Sequence, residues 1–466
     1  MAPGIFKTSH ASPYTITNEA PLKIIPNSRD TQLRPIDSIK PYDRLLRLHD
    51  RRKINKLKKL IGHFGQVGAI IIDDNGGIID GNAVWQAMRE LGSGDIVTIT
   101  VAGRDDPEIK ALRLALNRLT AEAAWNNAEL RAEFEDLVSL SFELDLTAFD
   151  TTEIDHILEL DLPNANIVED EEHIPAVQAQ AVSKLGDIWN CGDHRLGCGN
   201  AQDGDFVARV RNGVLVDVCF TDPPYNVPIA GFVSGKGRNQ HREFVQGTGE
   251  MSPDEFTAFL AAALKVLQAS SSRQALIYAC MDWRHVYELL DAGRQCALEL
   301  YNICVWAKTN AGMGSLYRSQ HELICVFKAG TETPTNNVEL GRHGRNRSNL
   351  WTYRGFNAFG NERDELLTDH PTVKPVAMIA DALRDVTKRG GTVLDTFMGS
   401  GSTLIAAEET GRRCFGTELD PLYVDVAIRR WQLHTRRDAI DATTGELFCD
   451  RAERLAPHSS EVSHGQ

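Results

Sequence analysis

The chain has 466 residues, of which 42% are hydrophobic and 24% are charged, so it is long enough to bury more than one core. It contains no run of 18 apolar residues and begins without a hydrophobic segment, so we expect neither a membrane span nor secretion. The nine cysteines form no C-x-x-C pair, and we expect them to be reduced in the cytoplasm. The formal net charge of −14 argues against a general affinity for nucleic acid but permits a local basic groove.

The first 106 residues divide into a leader and a small α/β domain. Residues 1–30 are rich in Pro, Ser, Thr and Asn without periodicity, so we expect a flexible leader. Residues 31–106 alternate strand and helix patterns. Their predicted elements are, in chain order, a strand and turn at LRPIDSIKPYD, a basic helix over 44–59, strands over Ala69–Ile72 and Ile78–Asp80, a helix through WQAMREL and a strand at IVTITV.

The centre of the chain is predicted to connect this domain to a larger one. Apolar residues at helical spacing predict a helical connector over 107–162, whereas 163–183 is acidic and poor in apolar residues, as expected of a linker. From 184 to 448 strand and helix patterns alternate, which predicts an α/β fold with a mostly parallel sheet. Residues 449–466 are expected to form a flexible tail.

One predicted strand of the larger domain ends at an unusual loop. The apolar run Val214–Phe220 is followed closely by Asp222, Pro223, Pro224 and Tyr225. Two consecutive prolines cannot donate hydrogen bonds to a sheet, so the strand must end there and the loop is stiff. Because open α/β sheets bind ligands at the carboxyl ends of their strands, we interpret this loop as a candidate catalytic site. A simple strand-terminating turn is the alternative for this motif taken alone.

A glycine-rich turn follows a later strand. The segment GGTVLDTFMGSGST predicts a strand, a turn and a helix, and Gly399 and Gly401 permit a ligand to approach the backbone closely. The turn is neither G-x-G-x-x-G nor a Walker motif, so phosphate is not the expected ligand. At the end of the next predicted strand, Glu418 is suitably placed to accept hydrogen bonds from ribose hydroxyls.

Together these motifs resemble the S-adenosylmethionine-dependent DNA amino-methyltransferases. The resemblance covers residues 184–448, and the order of a D-P-P-Y loop before an F-x-G-x-G turn is similar to the permuted beta class. It implies a Rossmann-like domain with S-adenosyl-L-methionine as the cofactor. Further matches are HPTVKP at 370–375, VWAKTN at 305–310, RSNLWTY at 347–353 and GDIWNCGDHRLGCGN at 186–200, where the family usually has an acidic residue in place of Asn200.

The resemblance also implies roles for individual residues. An exocyclic amine is a poor nucleophile because its lone pair is delocalised into the base, so its nitrogen must be held and its protons accepted. By resemblance, the Asp222 side chain and the Pro223 carbonyl accept those hydrogen bonds, while Tyr225 stacks on a base flipped from the duplex and Pro224 completes the loop. The residues expected to bind the cofactor are Lys374, Asp395, Phe397, Gly399, Ser400, Gly401, Ser402, Thr403, Glu418 and Asp420.

Arginines close to aromatic residues predict a surface that contacts DNA. Residues 340–361 carry four arginines, four aromatic residues and no acidic residue, a composition typical of a nucleic-acid groove, although a solvated loop is the alternative. The predicted DNA-binding residues are Arg342, Arg345, Arg347 and Arg354, together with Arg318 in the segment AGMGSLYRS.

Cys191, His194 and Cys198 are close enough in sequence to be considered as metal ligands. They offer only three ligands, whereas closed structural zinc sites use four. We therefore expect no metal.

Residues 31–106 resemble the ParB-like N-terminal domain of plasmid-partition proteins and of some methyltransferases from phages and mobile elements. The family's order of helix, strand, turn, strand and glycine runs through AIIIDDNGGIIDGNAVWQA. Family members usually carry a phosphate-binding arginine three residues after that glycine, where this chain has Val84. We therefore expect a role in DNA docking or assembly rather than CTP binding. The basic helix 44–59 is either the docking surface or a solvated face.

The sequence as a whole predicts a site-specific methyltransferase of the restriction–modification type, which acts on N6 of adenine in double-stranded DNA by base flipping. A homodimer is a further family expectation. Asp222 at the first position of the loop favours adenine, because serine is commoner there among cytosine-amino enzymes, but N4-cytosine methylation stays open. From a different class, the chain could be a ParB-like partition protein with a degenerate methyltransferase. The intact D-P-P-Y and F-M-G-S-G motifs and Glu418 count against that alternative.

Overall fold

The computed structural model describes residues 31–42, 50–119, 125–140, 142–159, 174–227, 249–309, 316–338, 340, 347–353 and 373–455. The chain divides into two compact units, Met1–Asp150 and Thr151–Gln466. Among the described residues, no helix is both long enough and apolar enough to cross a membrane.

The described part of the first unit combines a small sheet with helices. Its strands are β1 (Gln32–Pro35), β2 (Ile70–Ile72), β3 (Ile78–Asp80) and β4 (Asp95–Thr100), and its helices are α1 (Arg51–Phe64), α2 (Asn82–Glu90), α3 (Asp106–Leu119) and α4 (Asn127–Ser139). The sheet order is β1-β4-β2-β3, with only the β2–β4 pair parallel. Gly81 has a φ of 103°, a conformation that suits glycine, and it turns the chain from β3 into α2. The α/β character predicted for this region is confirmed.

The basic helix α1 carries ion pairs along much of its length. Each pair joins one of its lysines or arginines to an acidic residue of the same unit: Arg51 and Lys58 to Glu90, Arg52 and Lys56 to Asp150, and Lys59 to Glu143 and Asp145. Exposed pairs of this kind add little stability, but they neutralise five of the basic side chains locally. This arrangement favours the solvated-face interpretation of the helix over the DNA-docking one.

The second unit is built around one ten-stranded sheet within the described residues. Its strands are β5 (Ile188–Cys191), β6 (His194–Cys198), β7 (Val216–Thr221), β8 (Ser271–Met281), β9 (Glu299–Lys308), β10 (His321–Lys328), β11 (Leu350–Tyr353), β12 (Thr392–Asp395), β13 (Arg413–Glu418) and β14 (Ile440–Asp441). Its helices are α5 (Thr151–Glu159), α6 (Gly204–Val210), α7 (Pro253–Ser270), α8 (Val286–Gln295), α9 (Val376–Val386), α10 (Ser402–Glu409), α11 (Pro421–Thr435) and α12 (Phe448–Leu455).

The strand order of this sheet is β11-β9-β10-β8-β7-β12-β13-β6-β5-β14. The five neighbouring strands β8, β7, β12, β13 and β6 are mutually parallel, whereas β10 and β5 run antiparallel to the strands beside them. The predicted α/β fold with a parallel central sheet is therefore confirmed.

The central strands are buried on both faces. In β7, Val218 and Phe220 face an apolar cluster formed with α9, α10 and α11, whereas Cys219 faces a second cluster formed with α6, α7 and α8. Burial on both faces explains why the central strands read as continuous apolar runs in the sequence. Because the strands are parallel, their carboxyl ends lie at one edge of the sheet, and the loops that follow them meet there.

The C-terminal end of the second unit differs from the expectation that a flexible tail begins at residue 449. Residues 448–455 form α12, in which Phe448 is buried. Arg451 contacts Asp441 at 2.5 Å and Asp187 at 2.9 Å, so ion pairs tie this helix to the sheet. The folded unit therefore extends to Leu455, and the rest of the expected tail lies outside the described residues.

Helix α5 is joined to the rest of the second unit by a buried ion pair. Asp155 lies 3.1 Å from Arg412 and 3.3 Å from Arg389, and the side chain of Arg412 is fully buried. Arg412 also donates to the backbone carbonyls of Thr387 and Thr410. Removing one partner of a buried pair is costly because the remaining charge is left without a counter-ion.

We therefore expect Asp155→Ala to lower the free energy of unfolding by about 3–5 kcal/mol. Urea denaturation followed by tryptophan fluorescence measures this loss. Asp193→Ala removes an exposed aspartate from the turn between β5 and β6 and should leave the unfolding midpoint nearly unchanged. Equal midpoints for the two variants would contradict a stabilising role for the Asp155–Arg412 pair.

Candidate active site

The loops after β7, β12 and β13 meet at one edge of the sheet. Because β7 pairs with β12 and β12 pairs with β13, the residues Asp222, Asp395 and Glu418 lie at or just beyond the ends of three adjacent strands. Tyr225 and Phe397 both pack against the same apolar cluster. The fold therefore brings the D-P-P-Y loop and the glycine-rich turn together.

In the D-P-P-Y loop, Asp222 is held by two donors. The Tyr225 hydroxyl donates to Asp222 Oδ1 at 2.8 Å, and Lys374 Nζ donates to Asp222 Oδ2 at 2.5 Å. Pro223 is buried and Pro224 is half-buried, in keeping with a stiff loop. The Asp222 carboxylate is thus fixed in direction while 21% of its side chain stays exposed.

The residue that follows this loop, Asn226, anchors it to the segment before α7. Its φ is 53°, in the left-handed region where asparagine is tolerated better than most residues. Its Oδ1 accepts from the backbone N–H groups of Gly249 and Met251, and its Nδ2 donates to the Met251 carbonyl. Sequence reasoning missed Asn226, although asparagine directly after a rigid loop is a signal of such a turn.

A chain of alternating charges extends from Asp222. Lys374 Nζ also lies 3.3 Å from Glu322 Oε2, and Lys308 Nζ donates to Glu322 Oε1 at 2.5 Å. The Tyr225 hydroxyl lies 2.9 Å from Glu322 Oε2 as well. Asp222, Lys374, Glu322 and Lys308, which we call the charge chain, therefore alternate in sign and sum to zero.

Burial and neighbouring charges shift the pKa values in the charge chain. Burial alone would raise the pKa of Glu322, but the ammonium groups of Lys374 and Lys308 lower it to about 2. Burial opposes the charge of Lys374, yet Asp222 and Glu322 raise its pKa. Burial raises the pKa of Asp222 against the opposing effect of Lys374. Because its pKa is raised, Lys374 remains a cation at neutral pH.

Aromatic rings line the charge chain. Lys374 Nζ lies 5.3 Å from the ring centre of Tyr225 and 6.0 Å from that of Trp306, and Lys308 Nζ lies 4.6 Å from Trp306. Such contacts favour the cationic form of lysine. Sequence reasoning gave Lys308, within VWAKTN, no role of its own, and it missed Glu322. Lys374 was predicted to bind the cofactor, whereas its contacts here are with the D-P-P-Y loop and Glu322.

The glycine-rich turn leaves room for a ligand at Gly399. Gly399 has a φ of 52°, and a Cβ atom added to it would meet nothing within 4 Å. At Gly401, whose φ is 87°, an added Cβ would lie 3.0 Å from Ala427, so this glycine lets α10 and α11 pack closely. Phe397 packs beside Phe259 with ring centres 6.0 Å apart. The turn thus presents open backbone at Gly399 and a tight contact at Gly401.

Glu418 connects this turn to the end of β13. Its Oε2 accepts from the Gly399 N–H at 2.9 Å and its Oε1 accepts from the Asp420 N–H at 2.9 Å. Burial raises the pKa of Glu418 against these hydrogen bonds. Each carboxylate oxygen can accept a second hydrogen bond, so Glu418 keeps capacity for a hydroxyl ligand. The Asp420 side chain instead caps α11 by accepting from the Leu422 N–H at 3.0 Å.

The other residues predicted to bind the cofactor hold the turn together. Asp395 accepts from the Phe397 N–H at 3.0 Å and from the Thr403 hydroxyl at 2.7 Å. Arg430 Nη1 donates to the Ser402 hydroxyl at 3.1 Å and to the Ser400 carbonyl at 3.3 Å. These contacts lie within the protein, so they favour a role for Asp395, Thr403 and Ser402 in shaping the turn.

Of the predicted DNA-binding arginines, Arg342, Arg345 and Arg354 lie outside the described residues. Arg318 is exposed just before β10. Arg347 Nη1 donates to Asp381 at 2.7 Å, and its Nε lies 2.7 Å from Asp385. With two carboxylates beside its guanidinium, Arg347 is better suited to hold β11 against α9 than to contact DNA.

The Cys191, His194 and Cys198 segment forms ordinary core contacts. His194 Nδ1 accepts from the Cys414 N–H at 2.8 Å, and His194 Nε2 lies 2.8 Å from Glu408. Both cysteines are buried. Across the part of the chain that the structure describes, no group of three or more His, Cys, Asp or Glu side chains is arranged to hold a metal.

Asp395 should make stability depend on pH. Burial raises its pKa to about 7, so between its ordinary pKa of about 4 and pH 7 the folded chain binds up to one proton more than the unfolded chain. The free energy of unfolding therefore falls as pH rises through this window. Relative to Asp395→Asn, which cannot titrate, the wild type should lose on the order of 2 kcal/mol between pH 5 and pH 7.

Urea denaturation of both proteins at several pH values measures this difference. Groups that do not interact with Asp395 contribute equally in the two proteins, so their effects cancel. A difference that stays constant from pH 5 to pH 7 would contradict the raised pKa.

Comparison with known families and proteins gives matches in both halves of the chain. Residues 216–429 match a DNA methylase family, and residues 128–185 match a ParB-methyltransferase HTH domain. The putative methylase YubD of Escherichia coli (strain K12) is 27% identical over 207 residues, which cover 44% of this chain and 78% of YubD. The type II methyltransferase M2.DpnII of Streptococcus pneumoniae is 23% identical over 240 residues, which cover 48% of this chain and 85% of that protein.

A match among solved structures covers about half of the chain. A putative DNA modification methylase from Thermus thermophilus, complexed with S-adenosyl-L-methionine, aligns with a TM-score of 0.37 at 20% identity. The alignment covers 52% of this chain and 93% of that protein.

Proposed function

The chain carries a DNA methylase domain of the N6/N4 family together with a ParB-methyltransferase HTH domain, and from this premise we propose that it transfers a methyl group from S-adenosyl-L-methionine to N6 of adenine in double-stranded DNA. One observation carries the proposal. Asp222, the open backbone at Gly399 and the Glu418 carboxylate lie at one edge of the parallel sheet. A group that binds at the glycine-rich turn there faces an acceptor suited to an amine.

The residues of the glycine-rich turn fit S-adenosyl-L-methionine. The space beside Gly399 admits a ligand, and Glu418 retains capacity to accept from two ribose hydroxyls. Phe397 offers a partly buried aromatic face beside the turn. We assign direct contact to Phe397, Gly399, Ser400 and Glu418. When bound, this cofactor supplies an activated methyl group on a sulfonium.

The D-P-P-Y loop acts on the amine. Asp222 and the Pro223 carbonyl accept hydrogen bonds from the exocyclic amine, which directs its nitrogen lone pair toward the methyl carbon. The methyl group that the cofactor would supply at this position would take the place of one proton on the amine nitrogen. The nitrogen loses one proton, for which Asp222 is the nearest acceptor in this assignment. Tyr225 stacks on the flipped base, and its hydroxyl, which lies within hydrogen-bond distance of Asp222 and Glu322 and shares its one proton between them, holds the ring in place.

The choice of adenine rests on Asp222 as the first residue of the loop. N4-cytosine methylation is the alternative, because the exocyclic amine of cytosine presents the same donor group. We propose that the HTH domain contributes DNA contacts together with Arg318, Arg342, Arg345 and Arg354. The domain boundaries at 31–106, 107–162 and 163–183, a larger domain that begins at residue 184, a cytoplasmic location and a homodimer are parts of the same proposal.

Three variants at the D-P-P-Y loop test the chemistry. Asp222→Ala removes the acceptor for the amine and should lower kcat more than about a hundredfold with little change in cofactor or DNA affinity. Tyr225→Ala removes a stacking surface worth about 1–3 kcal/mol, so DNA binding should weaken while residual activity remains. Tyr225→Phe keeps the ring and removes only the hydroxyl, so it should bind DNA more tightly than Tyr225→Ala.

Transfer of tritiated methyl groups to duplex DNA, followed by nucleoside analysis, measures both rate and product. Asp193→Ala, an exposed aspartate distant in sequence from the loop, is the control and should keep wild-type turnover. Near-wild-type turnover in Asp222→Ala would show that the catalytic assignment is wrong. Labelled 4-methylcytosine would overturn the choice of adenine alone.

Gly399→Val tests the cofactor site separately. The substitution strains a backbone whose φ is 52° and fills the open space beside the turn, so titration calorimetry should show weaker binding of S-adenosyl-L-methionine. Gly390→Val, at a glycine with a φ of 73° and the same open surroundings but in the turn before β12, controls for backbone strain. Equal affinities in the two variants would contradict binding at Gly399.

A further inference from the structure

Glu322 lies where no sequence motif placed a functional residue. Glu322 is the second residue of β10, which runs antiparallel to β8. The amino end of β10 therefore lies at the sheet edge that carries the D-P-P-Y loop. Its carboxylate contacts the Tyr225 hydroxyl, Lys374 and Lys308, and only 14% of the side chain is exposed. Two of these three partners, Tyr225 and Lys374, also contact Asp222.

Asp222 and Glu322 therefore share a hydroxyl and an ammonium. A carboxylate has about four acceptor positions, of which Asp222 uses one on each oxygen for Tyr225 and Lys374. The amine of a base needs the remaining capacity. If Glu322 were absent, Asp222 would be the one carboxylate among the described residues in contact with the buried ammonium of Lys374. The ion pair between Asp222 and Lys374 would then be tighter, and Asp222 would be a weaker hydrogen-bond acceptor for the amine of the base.

We propose that Glu322 is a positioning residue for methyl transfer: it holds Lys374 and the Tyr225 hydroxyl so that Asp222 stays a strong acceptor for the target amine. This inference rests on the proposed function. Glu322 itself does not touch the base in this assignment. Lys308 completes the arrangement, because it supplies Glu322 with a counter-ion of its own at 2.5 Å.

The charge of Glu322 also affects the basicity of Asp222. Burial raises the pKa of Asp222, Lys374 lowers it, and the negative charge of Glu322 raises it. Removing that charge lowers the pKa of Asp222 and makes it a weaker base, which slows acceptance of the amine proton. The groups that act on one another here are Asp222, Tyr225, Cys280, Lys308, Glu322, Lys374 and Asp395.

Glu322→Gln keeps the size of the side chain and removes its charge, so it is the central variant. We expect kcat for methyl transfer to fall about tenfold or more while KM for the cofactor changes little, because the loss concerns the transition state. The acid side of the pH profile of kcat should move to lower pH, following the lowered pKa of Asp222. Glu322→Asp keeps the charge and should restore part of kcat.

Glu299→Gln is the matched control, since Glu299 is exposed on β9 and pairs with Lys328 at the carboxyl end of β10, the end opposite to Glu322. It should match the wild type in kcat and pH profile. A fall in activity with an unmoved pH profile and no rescue by Glu322→Asp would reduce Glu322 to a merely structural role and overturn the proposal. Wild-type kcat in Glu322→Gln would overturn it as well.

A second measurement keeps this test separate from that of the proposed function. Titration of the Asp222 carboxyl carbon by NMR in the full chain, identified by its loss in Asp222→Asn, should give a lower pKa in Glu322→Gln than in the wild type. An unchanged pKa would contradict the proposal. A wild type that transfers no methyl group to DNA would instead contradict the proposed function, whatever the NMR titration gives.

Discussion

The arrangement of the candidate active site depends on the ion pairs of one buried ammonium group, that of Lys374. Only 5% of this side chain is exposed, and a lysine so deeply buried must be compensated by carboxylates or lose its proton. Asp222 from the loop after β7 and Glu322 from β10 supply that compensation. Three segments distant in the sequence are therefore held together by one charge, and moving any of them would leave a buried group without its partner.

The direction of the strands determines which loops lie beside Lys374 and Asp222. Because β7, β12 and β13 are parallel and adjacent, the D-P-P-Y loop, the glycine-rich turn and Glu418 lie side by side. The turn leaves open backbone at Gly399 on one side, and on the other side Asp222, partly exposed, is held through both carboxylate oxygens by Tyr225 and Lys374. Asp395 contributes from between them by holding the turn through Phe397 and Thr403. In the function that we propose, the cofactor site and the amine acceptor therefore follow neighbouring strands.

Sequence reasoning found the parts of this site that follow one rule, namely that ligands bind at the carboxyl ends of parallel strands. That rule located Asp222, Gly399 and Glu418, and the alternating patterns predicted the α/β fold. The rule could not find Glu322, because β10 is antiparallel and brings its amino end to the same edge. Periodicity does not reveal strand direction, so an acid at the start of a strand carries no signal of its own.

Other differences come from partners that composition cannot reveal. The composition of the arginine-rich, aromatic segment that contains Arg347 predicts a DNA-binding surface, but in the structure Arg347 forms ion pairs with Asp381 and Asp385 of α9. The basic helix α1 likewise has acidic partners from elsewhere in its own unit. The sequence predicted a flexible tail where the structure has α12, because this helix is held by an ion pair between Arg451 and Asp187, which lies far away in the sequence.

We propose that Lys374 acts on methyl transfer through Asp222, and a double-mutant cycle tests this dependence most directly. The variants are Lys374→Met, Asp222→Asn and the double variant, with kcat measured at saturating cofactor and DNA. We expect Lys374→Met alone to lower kcat strongly and to have almost no further effect in a chain that already carries Asp222→Asn. If the two losses were instead additive, Lys374 would act independently of Asp222, and the account of the site would be wrong.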